Sequence, residues 1–583
     1  MRKLFAVLAV TLWLGTALSQ ATIENFQPVS QETLENPAPG DWLMARNNYA
    51  SWGHSALDQI TPENVDQLTL AWASGMEPGP NEAEPLVYDG IMYLPNPNDV
   101  IQAFDAATGD LIWEYRRDLP EDLDRTTIAG LGNITRNIAI YEDKIFHATY
   151  DAHIIALDAQ TGQLEWETPV GDPRVIAQTT GPIILDGKVV NGRACDPALP
   201  GGCFITAHDV ESGEELWRTH TIPRPGEPGS ETWGDLPLES RLHVGAWGQA
   251  GAFDPELNLI YWGTSVPAPS PEILRGTEGE DVLYSNSTLA INADTGEIEW
   301  YFQHLPRDNW DMDHPFERIL VDSAIAPSED DVLSMNPDVE PGTEYKVMTG
   351  IPGKTGVVWT LDRETGEFLW AKETVRQNVI ESVSGSGEVT VNEDVIPDSI
   401  DDPYGLVCPT MLGGKNWMPG AYNPNTNAIY MPLQNMCMEP EISVAEWTPA
   451  DLYGLSFNTM IAPGEENVGT VQAVSVETGE TLWTFETRTG TMPLLSTGGN
   501  LIFGGDSARN FRALNAETGE VEWETRLSGS VSGDPISYSV DGEQYIAIPA
   551  GSGNAAVVGG YLALTPEVSV PNTGNTLYVF KLP

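Results

Sequence analysis

A ten-residue phrase recurs seven times in this chain and ends each time in tryptophan. Its frame is a mostly apolar residue, usually Asp or Asn, two variable positions, Thr or Ser, Gly, an acidic or polar residue, two further positions and Trp. Such a phrase predicts a strand, a tight turn and a second strand, because Asp, Asn and Thr side chains bond the turn backbone and Gly accepts a positive φ. The copies are FDAATGDLIW ending at Trp113, LDAQTGQLEW at Trp166, HDVESGEELW at Trp217, INADTGEIEW at Trp300, LDRETGEFLW at Trp370, VSVETGETLW at Trp483 and LNAETGEVEW at Trp523.

The spacing of these tryptophans indicates the architecture. Successive intervals are 53, 51, 83, 70, 113 and 40 residues, which suits a unit of four short strands, as in propeller blades. The two longest gaps are too long for one blade, and each holds a weaker copy of the phrase that is interpreted as a further unit, FDPELNLIYWG at 253–263 and YNPNTNAIYM at 422–431. We expect each tryptophan to pack flat between neighbouring units, its N–H bonded to the next turn. The sequence therefore predicts an all-β, eight-bladed β-propeller with tryptophan-docking motifs.

The two ends of the chain are predicted to close the ring. LTLAW around Trp72 and the C-terminal NTLYVFKLP both resemble strands, and pairing them in one shared blade would remove the open sheet edge. Residues 22–583 are interpreted as a single propeller domain. Residues 25–71 are predicted to form a strap with a short helix starting near Thr61. Eight blades leave about 70 residues each, more than the usual repeat, so long loops should cover one face and build a site there.

The N-terminus has the features of a secretory signal. Arg2 and Lys3 precede an apolar run at 4–18, followed by small residues up to position 21, which is too short for a membrane-spanning helix with these flanks. Residues 1–21 are therefore predicted to be a cleaved signal peptide, and the mature protein to be periplasmic. The alternative is a cytosolic protein with an apolar N-terminus.

The charge of the chain excludes some partners. It has 28 Lys and Arg against 85 Asp and Glu, a formal net charge of −57, with the acidic residues spread along its length. Such a charge argues against nucleic acid and anionic membranes as partners. It suits a salty environment, where counterions screen the repulsion, or an ordinary acidic periplasmic protein.

Four cysteines in an exported chain favour disulfides. Near neighbours are the expected pairs, Cys195 with Cys203 and Cys408 with Cys437. No Cys-x-x-Cys-His occurs, so no covalently attached haem is expected and any electron carrier should be a separate protein.

The stretch PRDNWDMDHPFE at 306–317 is the strongest candidate for chemistry. It contains Asp308, Asp311 and Asp313 with His314 beside them. In a strand, residues two apart face the same way, so Asp311 and Asp313 would point together. Such a pair suits a hard cation with a general base, or the acid/base pair of a glycan hydrolase or lyase. The alternative is an acidic surface loop.

The ordered set of motifs resembles a known family. After the phrases come VGAWGQAGAFDPELNLIYWGT, LPRDNWDMD, KTGVVWTLDRETGEFLW and CPTMLGGKNWMPGAYNPNTNAIYMPLQNMC, in the order seen in the pyrroloquinoline-quinone (PQQ) dependent alcohol dehydrogenases, or quinoproteins. ETWG, LPRDNWD and TGEFLWA resemble the L-sorbose/L-sorbosone dehydrogenase branch. The resemblance implies PQQ with Ca²⁺ or a lanthanide. It also implies oxidation of polyols, sugars, aldehydes or bulky secondary alcohols such as trichothecene toxins.

The resemblance also implies roles for individual residues. Asp311 matches the family's catalytic base, next to the cation, and Asp313 matches an aspartate that marks members able to use a lanthanide. Trp247 matches the indole beneath the PQQ ring. Lys354 matches the cation at the quinone oxygens, where it would stabilise the reduced cofactor during catalysis.

Four further positions match residues that contact PQQ in the family. Asn416 in GGKNW matches an amide donor, and Arg136 in ITRNIAIY matches an arginine at the PQQ oxygens. Glu82 matches a glutamate at the cofactor edge, and Thr179 matches a hydroxyl at a PQQ carboxylate, a role that Thr180 would also suit.

The chain departs from the family pattern in four respects. IAGLGNITR lacks the adjacent cysteine pair. The family's metal-binding Asn falls at Val266, and its metal-binding Glu falls in the loop 192–204, where Asp196 is the only carboxylate. Asp196 is thus a candidate metal ligand or a turn residue before Pro197. No funnel tryptophan is found in RTGTMPLL or AGSGNAAVVGG, which predicts a wider mouth for substrates larger than methanol.

The mechanism that the resemblance implies is transfer of a hydride to PQQ while Asp311 removes the hydroxyl proton. Electrons would then pass to a soluble cytochrome c, steered by the acidic surface; the protein would be a monomer or homodimer. The alternative is a non-catalytic propeller scaffold of the outer-membrane assembly type, which carries the same phrase. Asp311, Lys354, Asn416 and Trp247 together distinguish the two, because a scaffold does not need them.

Overall fold

Each of the seven phrases forms the outer hairpin of a four-stranded antiparallel blade. The computed structural model of the protein describes residues 22–120, 123, 133–444, 446–451, 453–571 and 574–583. In these ranges the strands form eight blades, so the predicted eight-bladed β-propeller is confirmed. The strands of blades 1 to 4, from the axis outward, are Leu86–Tyr88, Ile91–Asn96, Val100–Asp105 and Leu111–Arg116; Ala139–Tyr141, Lys144–Ala148, His153–Asp158 and Leu164–Pro169; Ile183–Leu185, Lys188–Asn191, Phe204–Asp209 and Glu215–His220; Ala252–Asp254, Leu259–Gly263, Ser287–Asn292 and Ile298–Gln303.

Blades 5 to 8 follow the same order, and two of them carry an extra strand. Ser334–Met335 pairs with the outer edge of blade 5, and His54–Ser55 runs parallel to the first strand of blade 7. The main strands are Ile319–Ile325, Thr343–Thr349, Val357–Asp362 and Phe368–Glu373; Ala421–Asn423, Ala428–Gln434, Gly469–Ser475 and Thr481–Thr487; Thr491–Thr497, Leu501–Asp506, Asn510–Asn515 and Val521–Arg526; Ile536–Val540, Glu543–Ala550, Thr576–Lys581 and Thr69–Gly75.

Blade 8 is shared by the two ends of the chain, as predicted. Thr69–Gly75 pairs antiparallel with Thr576–Lys581, and Trp72 lies opposite Val579. The weaker phrase copies at 253–263 and 422–431 do not mark further blades, so that interpretation is wrong. They form the inner hairpins of blades 4 and 6, whose turns use the same Asp, Asn and Pro chemistry. The long intervals instead hold insertions at 264–286, 374–420 and 435–468.

These insertions contain half of the remaining elements. Four small antiparallel ribbons lie outside the blades, and the helices are short. The ribbons are Ile176–Ala177 with Ala194–Cys195, Leu242–His243 with Pro267–Ala268, Ile380–Val383 with Val389–Val391, and Met436–Ile442 with Leu455–Ile461. The α-helices are Gln31–Glu35, Glu272–Arg275 and Ala555–Ala563, and the 3₁₀ helices are Val65–Gln67, Ser230–Trp233, Leu238–Ser240, Glu393–Val395 and Pro449–Asp451.

Tryptophan docking joins neighbouring blades, as Trp113 illustrates. Its Nε1 donates to the carbonyl of Ala159 in the next phrase, at 3.0 Å. Gly162 in that phrase has φ 69°, and a Cβ there would lie 2.5 Å from the indole. The phrase glycine therefore serves both the turn and the flat packing of the tryptophan. The predicted N–H bond also forms at Trp166, Trp217 and Trp483.

The docking bond is absent at three phrases of the described residues, those ending at Trp300, Trp370 and Trp523. The Nε1 atoms of Trp300 and Trp370 are buried without a hydrogen-bond partner among the described residues. At Trp300 the carbonyl of Arg363, in the next phrase, accepts from Tyr261 Oη at 2.7 Å instead. The carbonyl thus keeps the tyrosine donor of the second strand, which at Ala159 and Ala516 donates together with the indole.

The N-terminal strap differs from its prediction. Its α-helix is Gln31–Glu35, capped by Ser30, whose Oγ accepts from the amide of Thr33 at 3.1 Å. The helix predicted from Thr61 is wrong. Asn64 Oδ1 accepts from the Thr61 amide at 2.9 Å and closes a turn, and only the 3₁₀ turn Val65–Gln67 follows.

Both predicted disulfides are present, Cys195–Cys203 and Cys408–Cys437, with Cα separations of 5.4 and 4.3 Å. The predicted signal peptide at 1–21 lies outside the described residues. Among the helices that are described, none has the length and apolar character needed to cross a bilayer.

The strand order determines which loops share a face. In an antiparallel meander, the loop between the second and third strands emerges at the same end as the connection to the next blade. The turns of the seven phrases emerge at the opposite end. Residues on the inter-blade connections and the second-to-third loops are therefore gathered on one face, which we call the loop face.

Candidate active site

The loop face contains a cavity of about 300 Å³, at the lower end of the range for small-molecule sites. Its lining comes from the connections after blades 3, 4 and 5 and from the second-to-third loops of blades 5, 6 and 8. The lining residues are Trp247, Asp311, Asp313, Lys354, Met411, Leu412, Asn416, Trp417, Asp451, Tyr453, Leu455, Phe457, Asn554, Ala556 and Val557.

Lys354 joins the two predicted carboxylates on the cavity wall. Its Nζ lies 3.0 Å from Asp311 Oδ2 and 2.7 Å from Asp313 Oδ2, and it donates to the Asp311 carbonyl at 3.0 Å. All three side chains are buried. Residues 311–313 are not a strand, so the strand explanation is wrong. Asp311 has φ 64°, and this left-handed turn accompanies the convergence of the two side chains.

The two carboxylates have different electrostatic environments. Burial and the charge of Asp313 raise the pKa of Asp311 well above its usual range. Burial also disfavours the ionised form of Asp313, but Lys354 and the Val266 amide, which donates to Asp313 Oδ1 at 3.0 Å, outweigh it and lower that pKa. Burial opposes the charge on Lys354, yet the two carboxylates raise its pKa. Asp313 and Lys354 therefore form the ion pair, and Asp311 is the group suited to proton transfer.

Asp311 also has an unused oxygen. Its Oδ1 is buried and has no hydrogen-bond partner among the described residues. An orphaned buried carboxylate oxygen is costly unless a ligand or cation contacts it. No three His, Cys, Asp or Glu side chains of the described residues converge as a metal site. The protein part of the site therefore fits a cation only as a partial set, Asp311 with Asp313, which a cofactor carrying its own oxygens would complete.

Asp308 and His314 have structural roles. Asp308 accepts from the amides of Trp310 and Met312, each at 2.7 Å, and from Asn286 Nδ2 at 2.7 Å. His314 stacks on His304, with 5.3 Å between ring centroids, and burial lowers its pKa to about 3. Neither residue lines the cavity, and both hold the loop that presents Asp311.

A second group of predicted residues meets at Trp247. Arg136 Nη1 donates to the Trp247 carbonyl at 2.9 Å and to the Thr179 carbonyl at 3.1 Å, and Thr179 Oγ1 donates to the Trp247 carbonyl at 2.8 Å. Arg136 also lies 2.7 Å from Glu82 Oε2. Its guanidinium carbon is 5.5 Å from the indole centroid of Trp247 and 5.7 Å from that of Trp417. Of this group, only the two tryptophans line the cavity.

Asn416 and Asp196 are placed differently from each other. Asn416 lines the cavity; its Nδ2 donates to the Leu412 carbonyl at 2.8 Å, and its Oδ1 accepts from the Trp417 amide at 2.7 Å. Asp196 does not line the cavity. Its Oδ1 accepts from the Ala198 amide at 2.8 Å, which is the geometry of a turn aspartate before Pro197.

Sequence reasoning missed the wall of the cavity formed by Tyr453, Leu455 and Phe457. These residues belong to the insertion in blade 6, which has no repeat or motif of its own. The only sequence signal near it is Cys437, whose disulfide to Cys408 ties the first strand of the insertion to the loop before blade 6. Trp417 was also missed, although it adjoins Asn416 in GGKNW.

Comparisons with known proteins agree with this geometry. The family described as glucose/ethanol/alcohol dehydrogenase, beta-propeller domain, with the short name PQQ, matches residues 42–392. The description outer membrane protein assembly factor BamB matches residues 467–558.

Individual relatives are similar over nearly the whole chain. A quinohemoprotein alcohol dehydrogenase of Pseudomonas putida is 32% identical over 95% of this chain and 78% of its own length. Quinoprotein alcohol dehydrogenase PedH of Pseudomonas putida is 31% identical over 100% of this chain and 97% of its own length. A solved structure titled europium-containing methanol dehydrogenase superposes with a TM-score of 0.83 at 25% identity, covering 94% of this chain and 99% of that one.

Proposed function

The chain belongs to the PQQ-dependent alcohol dehydrogenase family, an oxidoreductase family acting on alcohols, and on that premise we propose how its cavity works. The observation that carries the proposal is the contact of Lys354 with both Asp311 and Asp313 on the cavity wall. We propose that this wall is where an alcohol loses its hydroxyl proton and its hydride.

The residues around the cavity suit PQQ with Ca²⁺ or a lanthanide. Bound there, the cofactor would supply a two-electron acceptor and the cation a Lewis acid. Trp247 offers an aromatic face, Lys354 a positive charge and Asn416 a polar edge. The carbonyl of Trp247 accepts hydrogen bonds from Arg136 and Thr179, and Glu82 pairs with Arg136. We propose that these three side chains also contact the edge of the bound cofactor.

The proposed cation ligands are Asp311 and Asp313. Asp311 Oδ1 is unpaired, and a second carboxylate favours a cation of higher charge, so the pair suits a lanthanide as well as Ca²⁺. Asp196 would have to give up its bond from the Ala198 amide to join them. We therefore place it third among the candidates.

Asp311 is proposed as the general base. Its raised pKa makes it a strong proton acceptor once it is ionised, and Lys354 orients the carboxylate through Oδ2 while Oδ1 remains available. A cation nearby would favour the ionised form. Lys354 stays charged and neutralises Asp313, so Asp311 is the group that accepts the proton.

The apolar lining of the cavity favours substrates that are bulkier than methanol. The same cavity that holds the two carboxylates is lined by five apolar side chains, Met411, Leu412, Leu455, Phe457 and Val557. They suit bulky secondary alcohols such as trichothecene toxins; polyols, sugars such as sorbose or sorbosone, and aldehydes remain proposed substrates from the resemblance.

The electron acceptor is proposed to be a soluble periplasmic cytochrome c, steered by the net charge of −57. The protein is proposed to work as a monomer or homodimer.

A scaffold role has less support. The BamB description matches residues 467–558, where the blade repeats lie, and that range does not contain Asp311, Lys354 or Trp247. Blade repeats alone do not require a buried lysine between two aspartates.

The test is reconstitution of the purified mature protein with PQQ and Ca²⁺ or La³⁺, followed by dye reduction with alcohols of increasing bulk. We expect turnover that needs both PQQ and a cation, and higher kcat/KM for bulky secondary alcohols than for methanol. The Asp313→Ala variant is expected to lose activity with La³⁺ and keep it with Ca²⁺. Failure of every cation to restore turnover would contradict the proposal.

A further inference from the structure

One wall of the cavity combines apolar side chains with the phenol of a tyrosine. Tyr453, Leu455 and Phe457 all line the cavity, and they are spaced two apart where the chain enters the strand Leu455–Ile461. Leu455 and Phe457, two apart on the strand, face the same side, and Tyr453 lies in the turn before the strand, joined to it by Gly454 with φ 74°. Leu455 and Phe457 are apolar. Asp451 also lines the cavity, but its Oδ2 accepts from the amide and the hydroxyl of Thr448 at 2.9 and 2.8 Å, so the phenol of Tyr453 is the group left to meet a ligand.

Tyr453 is held in place from behind. Its ring meets the imidazole of His243 edge to face, with 5.6 Å between centroids, and its carbonyl accepts from the Ser270 amide at 2.9 Å. His243 is fully buried and its Nδ1 bonds the Cys195 carbonyl at 2.6 Å. The disulfide loop of blade 3 and the insertion of blade 4 therefore fix the tyrosine ring.

The hydroxyl of Tyr453 is available to a ligand. Among the described residues, no hydrogen bond to its oxygen is found. Burial first, and then the charges of Asp311 and Asp313, raise the pKa of the Tyr453 phenol well above its usual range. The phenol therefore keeps its proton and can donate a hydrogen bond beside the carboxylates.

We propose that Tyr453 determines specificity by donating a hydrogen bond to a second substrate oxygen, on the carbon next to the one that is oxidised. The inference rests on the proposed function, in which the hydroxyl group that is oxidised lies at Asp311. The substrate class is then an apolar alcohol with an adjacent ether, hydroxyl or carbonyl oxygen. PQQ is a less suitable acceptor for this phenol, because the neighbours of Tyr453 on this wall are Leu455 and Phe457, which do not bind an anionic cofactor.

The test uses two substrates that differ in one oxygen, trans-2-methoxycyclohexanol and trans-2-methylcyclohexanol. In the reconstituted holoenzyme, Tyr453→Phe is expected to lower kcat/KM for the methoxy alcohol about tenfold or more and to leave the methyl alcohol within about twofold. Phe457→Leu is the matched control on the same wall and should change both substrates by the same factor. Equal losses for both substrates in Tyr453→Phe would overturn the proposal.

Two binding measurements complete the test. Titration of PQQ into wild type and Tyr453→Phe should give equal affinities, and weaker PQQ binding by the variant would overturn the assignment to substrate. Calorimetry with the tertiary alcohols 2-methoxy-1-methylcyclohexanol and 1,2-dimethylcyclohexanol, which cannot lose a hydride, should show the same selective loss. If no cation restores turnover of wild type with any alcohol, the proposed function fails, and the calorimetric difference then shows separately whether Tyr453 binds the second oxygen.

Discussion

At the scale of single residues, charge and backbone geometry act together at Asp311. Its left-handed φ and the bonds from Lys354 bring it next to Asp313, and burial makes the three charges strongly dependent on one another. One lysine can neutralise one carboxylate. The second carboxylate is therefore left with the raised pKa that proton transfer requires.

Replacing the base tests this division of roles. Asp311→Asn keeps the size and polarity of the side chain but cannot accept the proton. We expect kcat to fall about 10²- to 10⁴-fold, measured by dye reduction in the PQQ-loaded protein. The thermal unfolding midpoint should stay close to wild type, because the blades are unchanged, and turnover is compared at saturating PQQ and cation because Asp311 is also a proposed cation ligand. A variant with full turnover would show that another group takes the proton.

At the scale of elements, the tryptophan and the glycine of adjacent phrases form the joint between blades. Trp113 is fully buried and lies flat against the turn of Gly162, where its N–H is satisfied. Each joint links residues about one blade apart in sequence. The ring is consequently assembled from similar local contacts, and the loops on the other face are free to vary.

Truncating one such joint should be costly. Trp113→Ala removes a buried indole and its hydrogen bond, and we expect a loss of about 3–5 kcal/mol in the free energy of unfolding, measured with urea. Leu111→Ala is the control on the same strand. Leu111 is 52% exposed, so its replacement should change stability by less than about 0.5 kcal/mol. Similar losses for both variants would contradict the docking role.

The strand that the N-terminal strap adds to blade 7 carries a pH-dependent residue. His54 Nδ1 bonds Ser496 Oγ at 2.7 Å, and burial lowers the pKa of His54 from 6.5 to about 4. The unfolded chain therefore binds a proton here between pH 6.5 and about 4 while the folded protein does not, so this contribution is complete above pH 6.5 and is lost as pH falls through about 4.

The expected contribution of His54 over that range is about 3 kcal/mol. Urea unfolding at several pH values, in wild type and His54→Gln, measures it. Gln keeps a polar partner for Ser496 but does not titrate, so the variant should lose less stability on acidification. Parallel curves for the two proteins would rule out this role.

At the scale of the whole molecule, a closed ring carries a large negative charge. The chain ends meet in blade 8, so the sheet has no open propeller edge. The net charge is −57, and the repulsion among surface carboxylates opposes the compact state. Salt shortens the range of that repulsion from about 10 Å at 0.1 M to about 3 Å at 1 M.

Raising NaCl from 0.1 to 1 M at pH 7.5 should therefore raise the urea midpoint of unfolding. NaCl is preferred to sulfate, because sulfate also strengthens apolar burial by exclusion from the surface. Sucrose strengthens apolar burial by exclusion without screening charge, so its effect on the midpoint shows how large a shift exclusion alone produces. A midpoint that does not respond to NaCl would show that the carboxylates are already balanced locally.

The sequence alone determined the repeat, the blade count, the ring closure and both disulfides. These features depend on local turn chemistry, such as the Asp-x-x-Thr-Gly frame before Trp113, or on short separations along the chain. The motifs at Asp311, Lys354, Asn416 and Trp247 were also readable in order, and the structure places all four on one cavity.

Only the tertiary structure decided how those residues meet. The left-handed turn at Asp311, the position of Asp196 outside the cavity and the wall at Tyr453 have no local signature in the sequence. The inner hairpins of blades 4 and 6 were misread because one turn chemistry serves both hairpins of a blade. The loops that form the site are far apart in the chain. They come together only when all eight blades close into a ring.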